Sequence, residues 1–322
     1  MNLEISDKIK KIAISTGFDI VGITDSSVPL EAISHYEEWI KRHYHADLEY
    51  MNKNVERRLN PKNIMENVKS IICLGLNYYN GVNTNDKNKG IICRYARGMD
   101  YHKVIEEKTR KLIIELQNMY GESVEFKPYV DYGAILERVF AEKAGLGFIG
   151  RNKNLITKEF GSWVFLSVIL TDIELSYDQP LKAGCGTCRA CIEACPTKAL
   201  IKKEENPWDR EVYLDARKCI SFQTIESKKD KISHLVSSKM KNRFFGCDIC
   251  QEVCPWNREP KMTRHKEFLP ESGAGDSFDL NASLSDDEDK FREKYINTPI
   301  LRMKLKGLKK NLEALKKNIR LL

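Results

Sequence analysis

The chain has 322 residues, ten cysteines and a formal net charge of +7 at pH 7. This length accommodates two domains, and so mild a positive charge does not by itself identify a polyanionic partner. The first twenty residues contain no apolar core of signal-peptide length, and the longest apolar run, Trp163 to Leu170, is too short to cross a bilayer. We therefore expect a cytoplasmic protein without a membrane segment, whose cysteines serve metal binding or catalysis and not disulfides.

Helices and strands alternate over the first half of the chain. Apolar residues three and four apart predict helices, and short apolar, β-branched runs predict strands. The predicted helices are 6–16, 31–43, 101–120 and 136–143, and the predicted strands are 18–24, 70–79, 125–131 and 162–175. This alternation is typical of an α/β sandwich, which we assign to residues 1–177.

The composition changes at residue 178. Residues 178–257 hold eight of the cysteines and few long apolar runs, which predicts a metal-organised domain. Residues 258–322 are predicted to be a linker, polar and acidic up to Asp289, followed by a basic amphipathic helix. The apolar side of that helix is expected at Leu301, Leu305, Leu308, Leu312 and Leu315. The predicted fold class is α+β.

Two cysteine motifs follow the spacing of bacterial ferredoxins. In that pattern, C-x2-C-x2-C-x3-C-P, three thiolates bind one [4Fe-4S] cluster and the fourth binds the other cluster. The second motif has Phe244 where its first cysteine would be, and we assign Cys219 as the missing ligand. The predicted ligands are Cys185, Cys188, Cys191 and Cys254 for the first cluster and Cys195, Cys219, Cys247 and Cys250 for the second.

Zinc is the alternative occupant, since tetrahedral zinc sites also use C-x2-C pairs. Eight cysteines in two proline-terminated motifs exceed what a zinc ribbon needs. Of the two remaining thiols, Cys73 is expected to be a buried free cysteine. Two clusters conduct electrons, so the preceding domain is expected to hold the acceptor, a cofactor or a substrate. The glycine-rich segment AGLGFIG, residues 144–150, does not follow a predicted strand and is too weak by itself to indicate dinucleotide binding, and no P-loop motif occurs in the sequence.

A series of segments resembles the epoxyqueuosine reductases, cobalamin-dependent iron-sulfur enzymes of tRNA modification. The resemblance covers almost the whole chain and is carried by the cysteine motifs and by FDIVGIT, HADLEYM, ERRLNPK, RYARGMDYHKV, VDYGAILERVFAEKAGLGFIGRNKNLIT and KCISFQTIE. It implies a base-off cobalamin held between the α/β domain and a ferredoxin-like domain, near the second cluster. It also implies the reaction, in which two electrons and protons convert the epoxide of epoxyqueuosine at the tRNA wobble position into the alkene of queuosine.

The resemblance also implies roles for single residues. Asp131 matches the family's proton donor, and burial above the corrin is expected to raise its pKa; a helix N-cap is the alternative role. Arg58 is expected to reach a corrin amide, with a surface salt bridge as the alternative. His102 is a possible axial ligand that we do not assign to cobalt. The expected cobalamin contacts, partly through backbone atoms, are Arg58, Cys93, Asp131, Leu155, Ser221, Cys247 and Asp248.

The substrate side is inferred from charge. A basic stretch between Cys219 and the second motif is expected, with the C-terminal helix, to contact tRNA phosphates. Its candidate residues are Lys228, Lys229, Lys231, Lys239, Lys241 and Arg243. Phe222 is either a base-stacking residue or a core aromatic. Many family members continue into helical repeats, whereas this chain ends after a segment that resembles only their lead-in.

Two other functions remain open from the sequence. A reductive dehalogenase-like cobalamin enzyme would reduce a small organohalide, but such enzymes usually carry an export signal and a different proton donor. A non-catalytic electron-transfer subunit would use the first domain only for docking. The favoured function requires an external low-potential electron donor, and we expect a monomer.

Overall fold

The computed structural model describes residues 3–84, 86, 88–202, 212–280 and 287–319. The helices are α1 (Leu3–Ser15), α2 (Leu30–Lys41), α3 (Val55–Leu59), α4 (Tyr101–Tyr120), α5 (Glu137–Lys143), α6 (Ala190–Ala194), α7 (Ile220–Ile225), α8 (His234–Ser237), α9 (Ile249–Glu252), α10 (Glu288–Tyr295) and α11 (Lys304–Ile319). The strands are β1 (Ile20–Asp25), β2 (Ser70–Asn77), β3 (Lys89–Ile92), β4 (Phe126–Tyr129), β5 (Phe148–Ile149), β6 (Leu155–Ile156), β7 (Val164–Thr171), β8 (Leu200–Lys202), β9 (Val212–Leu214), β10 (Arg243–Phe245) and β11 (Ser277–Asp279).

The chain forms two compact units, and each is described by itself. The first contains residues 1–42, 50–77 and 102–186, and the second contains residues 43–49, 78–101 and 187–322. Both units therefore draw on separate stretches of the chain, unlike the consecutive ranges predicted from composition. Within the described residues, every helix is too short or too polar to cross a membrane.

The first unit is built on a four-stranded sheet in the order β1-β2-β7-β4. All of its strand pairs are antiparallel. Every residue of β2 is buried, as expected for a central strand with apolar, β-branched residues on both faces. Ile71 and Cys73 pack with Phe140 of α5 and Leu155 of β6 in one apolar cluster. Cys73 is thus the buried thiol that its apolar strand predicts.

The second unit contains a three-stranded sheet in the order β10-β3-β11. Strand β3 is parallel to β10 and antiparallel to β11. Strand β11 lies within the predicted linker, so the linker prediction is wrong at this point: Phe278 is buried and stacks on Phe244 at 4.4 Å between ring centroids. Burial of one aromatic residue and pairing with β3 explain why a polar segment becomes a strand. Residues 281–286 of that segment lie outside the described residues.

Helix α11 packs its apolar face into the core of the second unit. The predicted face is confirmed at Leu305, Leu308, Leu312 and Leu315, all buried. Leu301 differs, being 36% exposed, because it lies in the 3-10 turn before the helix. The observed combination of helices with antiparallel and mixed sheets confirms the α+β class.

Candidate functional site

Asp131 occupies a strained turn at the end of β4. Its φ of 55° lies in the left-handed region, which aspartate and asparagine tolerate better than most side chains. The Tyr132 N–H donates to the Val130 carbonyl across it at 2.5 Å. The Asp131 side chain is 49% exposed. The turn therefore presents the carboxyl group at the surface of the first unit.

The first turns of α4 lie against this loop. His102 Nε2 is 3.5 Å from Asp131 Oδ2. The His102 ring stacks on Tyr132 with centroids 5.6 Å apart, and the Tyr132 hydroxyl donates to Glu106. His102 and Glu106 are one helical turn apart on α4. The same face of the helix therefore contacts the side chains of both Asp131 and Tyr132.

Two further residues hold the loop backbone. Glu137 Oε1 accepts the Asp131 N–H at 2.7 Å. Arg58 is buried, and its guanidinium donates to the Gly133 carbonyl at 2.9 Å and to the Tyr50 carbonyl at 3.2 Å. Gly133 has a φ of 125°, and a Cβ there would lie 2.4 Å from the Tyr129 ring. The surface salt bridge considered for Arg58 is wrong, because the side chain is buried and serves backbone carbonyls.

Glu137, at the first residue of α5, has a pKa well above the usual range of a carboxyl group. Burial, followed by the charge of Asp131, raises its pKa to about 8. A carboxyl whose pKa is higher in the folded than in the unfolded state binds more protons when folded, so the fold loses stability as pH rises between about 4.5 and 8.

We therefore expect Glu137→Gln to flatten this pH dependence. The free energy of unfolding of the variant, measured with denaturant, should fall less steeply than that of the wild type as pH rises from about 4.5 to 8. Glu142→Gln, on the same helix, is the control. Parallel curves for the wild type and Glu137→Gln would contradict the raised pKa.

Four cysteines of the second unit influence one another in the pattern predicted for the second cluster. The Cys219 thiol is near Cys195, and Cys250 is near Cys219 and Cys247 and also near Cys191 of the first predicted set. Burial raises the pKa of Cys219 and raises that of Cys247 to about 12. Thiols must lose their protons to bind iron, so the raised pKa values would make cluster binding by these residues depend on pH.

Backbone N–H groups point at these sulfurs. Cys219 accepts from Phe222 and Ser221, Cys247 accepts from Ile249, and Cys195 accepts from Ala199 at 3.3 Å. Hydrogen bonds to cluster sulfurs are one of the means by which proteins set cluster potential. The donor set therefore fits a four-iron cluster held by Cys195, Cys219, Cys247 and Cys250.

The predicted ligands of the first cluster are divided between the units. Cys185 belongs to the first unit, where its sulfur accepts the Arg151 N–H at 3.4 Å. Cys188, Cys191 and Cys254 belong to the second, where Cys191 and Cys254 are buried and helices α6 and α9 pack together. Within the described residues, no three His, Cys, Asp or Glu side chains gather as they would around one metal ion. In a four-iron cluster each thiolate binds its own iron.

The seven predicted cobalamin contacts also come from both units. Arg58, Asp131 and Leu155 lie in the first, and Cys93, Ser221, Cys247 and Asp248 lie in the second. The Leu155 and Cys93 side chains are buried in apolar clusters, so only their backbone atoms could meet a corrin. Arg58 Nε is buried and finds no hydrogen-bond partner among the described residues, which fits an amide acceptor such as a corrin side chain supplies.

Asp248 is engaged within its own unit. Its Oδ2 accepts the Arg94 N–H at 2.9 Å and lies 3.1 Å from Arg94 Nη1, with both side chains buried. Arg94 also pairs with Glu252 at 2.9 Å. The carboxylate of Asp248 is thus used for structure, and any corrin contact would come from its backbone.

The basic stretch is largely exposed, as tRNA contact requires. Lys228, Lys229, Lys231, Lys239 and Lys241 are exposed. Arg243 differs: its side chain is 12% exposed and lies 3.4 Å from Glu252. Lys310 of α11 is buried and donates to the Gln223 and Ser227 carbonyls, so it is part of the helix packing. Phe222 is buried, which makes it a core aromatic.

The residues around Asp131 are those that sequence reasoning missed. Glu137, Glu106 and Tyr132 have no predicted role, and His102 is considered from the sequence only as a cobalt ligand. A glutamate at the first residue of α5, six positions after Asp131, is a usable signal, because acidic side chains near helix starts often accept backbone N–H groups. The contact of His102 with Asp131 has no such signal.

Two family models match the chain. The model described as "Epoxyqueuosine reductase QueG, DUF1730" matches residues 58–132. The model described as a 4Fe-4S double cluster binding domain matches residues 184–257. An epoxyqueuosine reductase of Leadbetterella byssophila is 37% identical over 313 residues, covering 97% of this chain and 99% of the relative.

Solved structures of the same kind resemble the fold closely. The crystal structure of an epoxyqueuosine reductase with an epoxyqueuosine-modified tRNA-Tyr stem loop matches with a TM-score of 0.87 and 28% identity, covering 98% of this chain and 82% of that one. A Bacillus subtilis epoxyqueuosine reductase, with its catalytic aspartate loop swung out of the active site, matches with a TM-score of 0.86, 28% identity and the same coverage. By sequence identity over nearly its whole length, the chain belongs to the epoxyqueuosine reductase family.

Proposed function

We propose that this protein reduces the epoxide of epoxyqueuosine in tRNA to the alkene of queuosine. The observation that carries the proposal is Asp131, which matches the family's proton donor and is presented by a strained turn on the surface of its unit. A relative of the same fold is bound to an epoxyqueuosine-modified tRNA stem loop. The proposal includes a cytoplasmic location, a monomer and an external low-potential electron donor.

The chemistry assigns Asp131 the role of acid. Both C–O bonds of the epoxide break, a C=C bond forms, and the oxygen leaves as water after taking two protons and two electrons. An oxygen that gains electrons as its bond breaks needs a proton donor within hydrogen-bond reach. The loop contacts from His102, Glu137 and Arg58 hold the carboxyl for that transfer.

Two [4Fe-4S] clusters and cobalamin are the cofactors of the proposed reaction. The eight cysteines assigned from the sequence would bind the clusters. The corrin would contact Arg58, Cys93, Asp131, Leu155, Ser221, Cys247 and Asp248. Reduced cobalamin supplies strongly reducing, nucleophilic or radical-capable cobalt. The protein's own contribution is to bind the cofactor, to shape the potential of the clusters through N–H···S hydrogen bonds, and to keep an acid at the epoxide.

Activity on defined tRNA tests the function directly. Protein reconstituted anaerobically with iron, sulfide and cobalamin should convert epoxyqueuosine in tRNA to queuosine when given a low-potential reductant, as measured by mass spectrometry of the nucleosides. Loaded protein that leaves the epoxide intact would refute the proposal. Electron transfer to a partner without cobalamin binding would instead identify an electron-transfer subunit.

The exposed lysines are proposed to contact tRNA phosphates. We expect the double variant Lys228→Ala/Lys229→Ala to bind tRNA more weakly and to reduce the salt dependence of binding by about one unit of slope for each phosphate that a lysine neutralises in the wild type. Binding is measured by filter retention or fluorescence anisotropy across a salt series. Lys8→Ala/Lys11→Ala removes the same charge from exposed positions on α1 and is the control. An equal salt dependence of tRNA binding in both double variants would show that the basic stretch does not contact tRNA.

A further inference from the structure

We propose that His102 is a positioning residue that returns a proton to Asp131 within each turnover, an inference that rests on the proposed function. The reaction consumes two protons, and one carboxyl group carries only one. After Asp131 protonates the oxygen once, it must recover a proton before it can act a second time. The neighbours of its carboxyl group therefore decide how the second proton arrives.

His102 is placed to make that transfer. Its Nε2 lies 3.5 Å from Asp131 Oδ2, while the side chain is 21% exposed. An imidazole can release a proton from one ring nitrogen and bind another at the second nitrogen. His102 can thus give its Nε2 proton to Oδ2 and recover one from solvent. Substrate and corrin covering the half-exposed Asp131 would exclude water from the carboxyl, so a route from the α4 side becomes necessary.

The other groups facing the loop are occupied differently. From α5, Glu137 accepts the Asp131 backbone N–H, and Arg138 donates to the Lys153 carbonyl. From α4, Glu106 accepts the Tyr132 hydroxyl, and from α3, Arg58 donates to the Gly133 carbonyl. Glu137 and Arg58 therefore fix the backbone, and the pair of Tyr132 and Glu106 holds the loop beside the His102 ring. These neighbours stabilise the conformation of the loop, whereas His102 lies next to the Asp131 carboxyl group itself.

The first experiment compares His102→Gln with the wild type as loaded holoenzyme. Glutamine can still hydrogen-bond to Asp131 but cannot carry a proton between two nitrogens. We expect kcat to fall roughly a hundredfold, the low end of general acid–base contributions, with KM for the tRNA changed by less than about twofold. The pH profile of kcat should differ between the two proteins, because only the wild type has a titratable imidazole beside the Asp131 carboxyl. His35→Gln, on α2 of the same unit, is the control.

The second experiment is chemical rescue. His102→Ala leaves room for a small base, and added imidazole should restore at least part of kcat in proportion to the imidazolium present. Rescue supports the relay because a purely structural role would not follow the protonation of an external base. Wild-type kcat and pH profile in His102→Gln, or a loss that imidazole fails to rescue, would overturn it.

Failure of this inference is distinguishable from failure of the proposed function. Active wild-type protein together with an unaffected His102→Gln variant contradicts the relay alone. Inactive wild-type protein that has bound both clusters and cobalamin contradicts the function. Cobalamin binding by each variant, read from the absorption spectrum, shows whether a fall in activity arises from cofactor loss, which would also contradict the relay.

Discussion

Asp131→Asn is expected to lower the rate of epoxide reduction by about 100- to 10,000-fold, the range that general acids contribute. Asparagine tolerates the left-handed φ of 55° at this position and can still accept the contact from His102, so the loop should keep its shape. It cannot donate an acidic proton to the epoxide oxygen. The fall should therefore appear in kcat, measured by nucleoside mass spectrometry in single- and multiple-turnover reactions.

Binding measurements separate this effect from damage to the fold. Cobalamin uptake and tRNA affinity of Asp131→Asn should equal those of the wild type, because the substitution removes the acidic group and leaves the shape of the side chain unchanged. Asp7→Asn makes the same chemical change at an exposed position of α1 and should be fully active. A fully active Asp131→Asn would show that the acid is another group.

Cys219→Ala is expected to remove one of the two clusters and to leave about half of the iron and sulfide. Cys219 comes from a separate stretch of chain, at the start of α7, yet its thiol lies near Cys195. Without it the second cluster keeps three protein ligands, whereas the ligand set of the first is intact. Activity should be lost, because the path for electrons is interrupted.

Iron and sulfide analysis with electron paramagnetic resonance spectroscopy measures this outcome. Cys73→Ala is a matched control, since Cys73 is a buried thiol in β2 that belongs to neither ligand set. It should keep the full iron content at a small cost in stability. Wild-type iron in Cys219→Ala would contradict its assignment as a ligand, and loss of all iron would contradict the independence of the two sets.

Local patterns in the sequence determined much of this protein. The spacing of apolar residues predicts a helix from Tyr101 to Tyr120, which are the observed ends of α4. The apolar run that predicts β2 begins at Ser70, as the strand does. Four leucines of α11 face the core as their spacing requires. The cysteine spacing was equally informative, because three ligands of one cluster must lie within a short turn and leave a recognisable pattern.

Contacts between distant parts of the chain were decided only by the tertiary structure. His102 and Asp131 belong to different elements, and nothing in the helix that starts at Tyr101 indicates that its second residue meets the end of β4. Arg243 looks like its basic neighbours in the sequence but pairs with Glu252, and Lys310 is buried among carbonyls. Residues 277–279 are predicted to be part of a linker, but they form a strand because their backbone pairs with β3. Periodicity reports which face of an element is apolar, whereas pairing depends on which elements meet, and that is set by the packing of the whole chain.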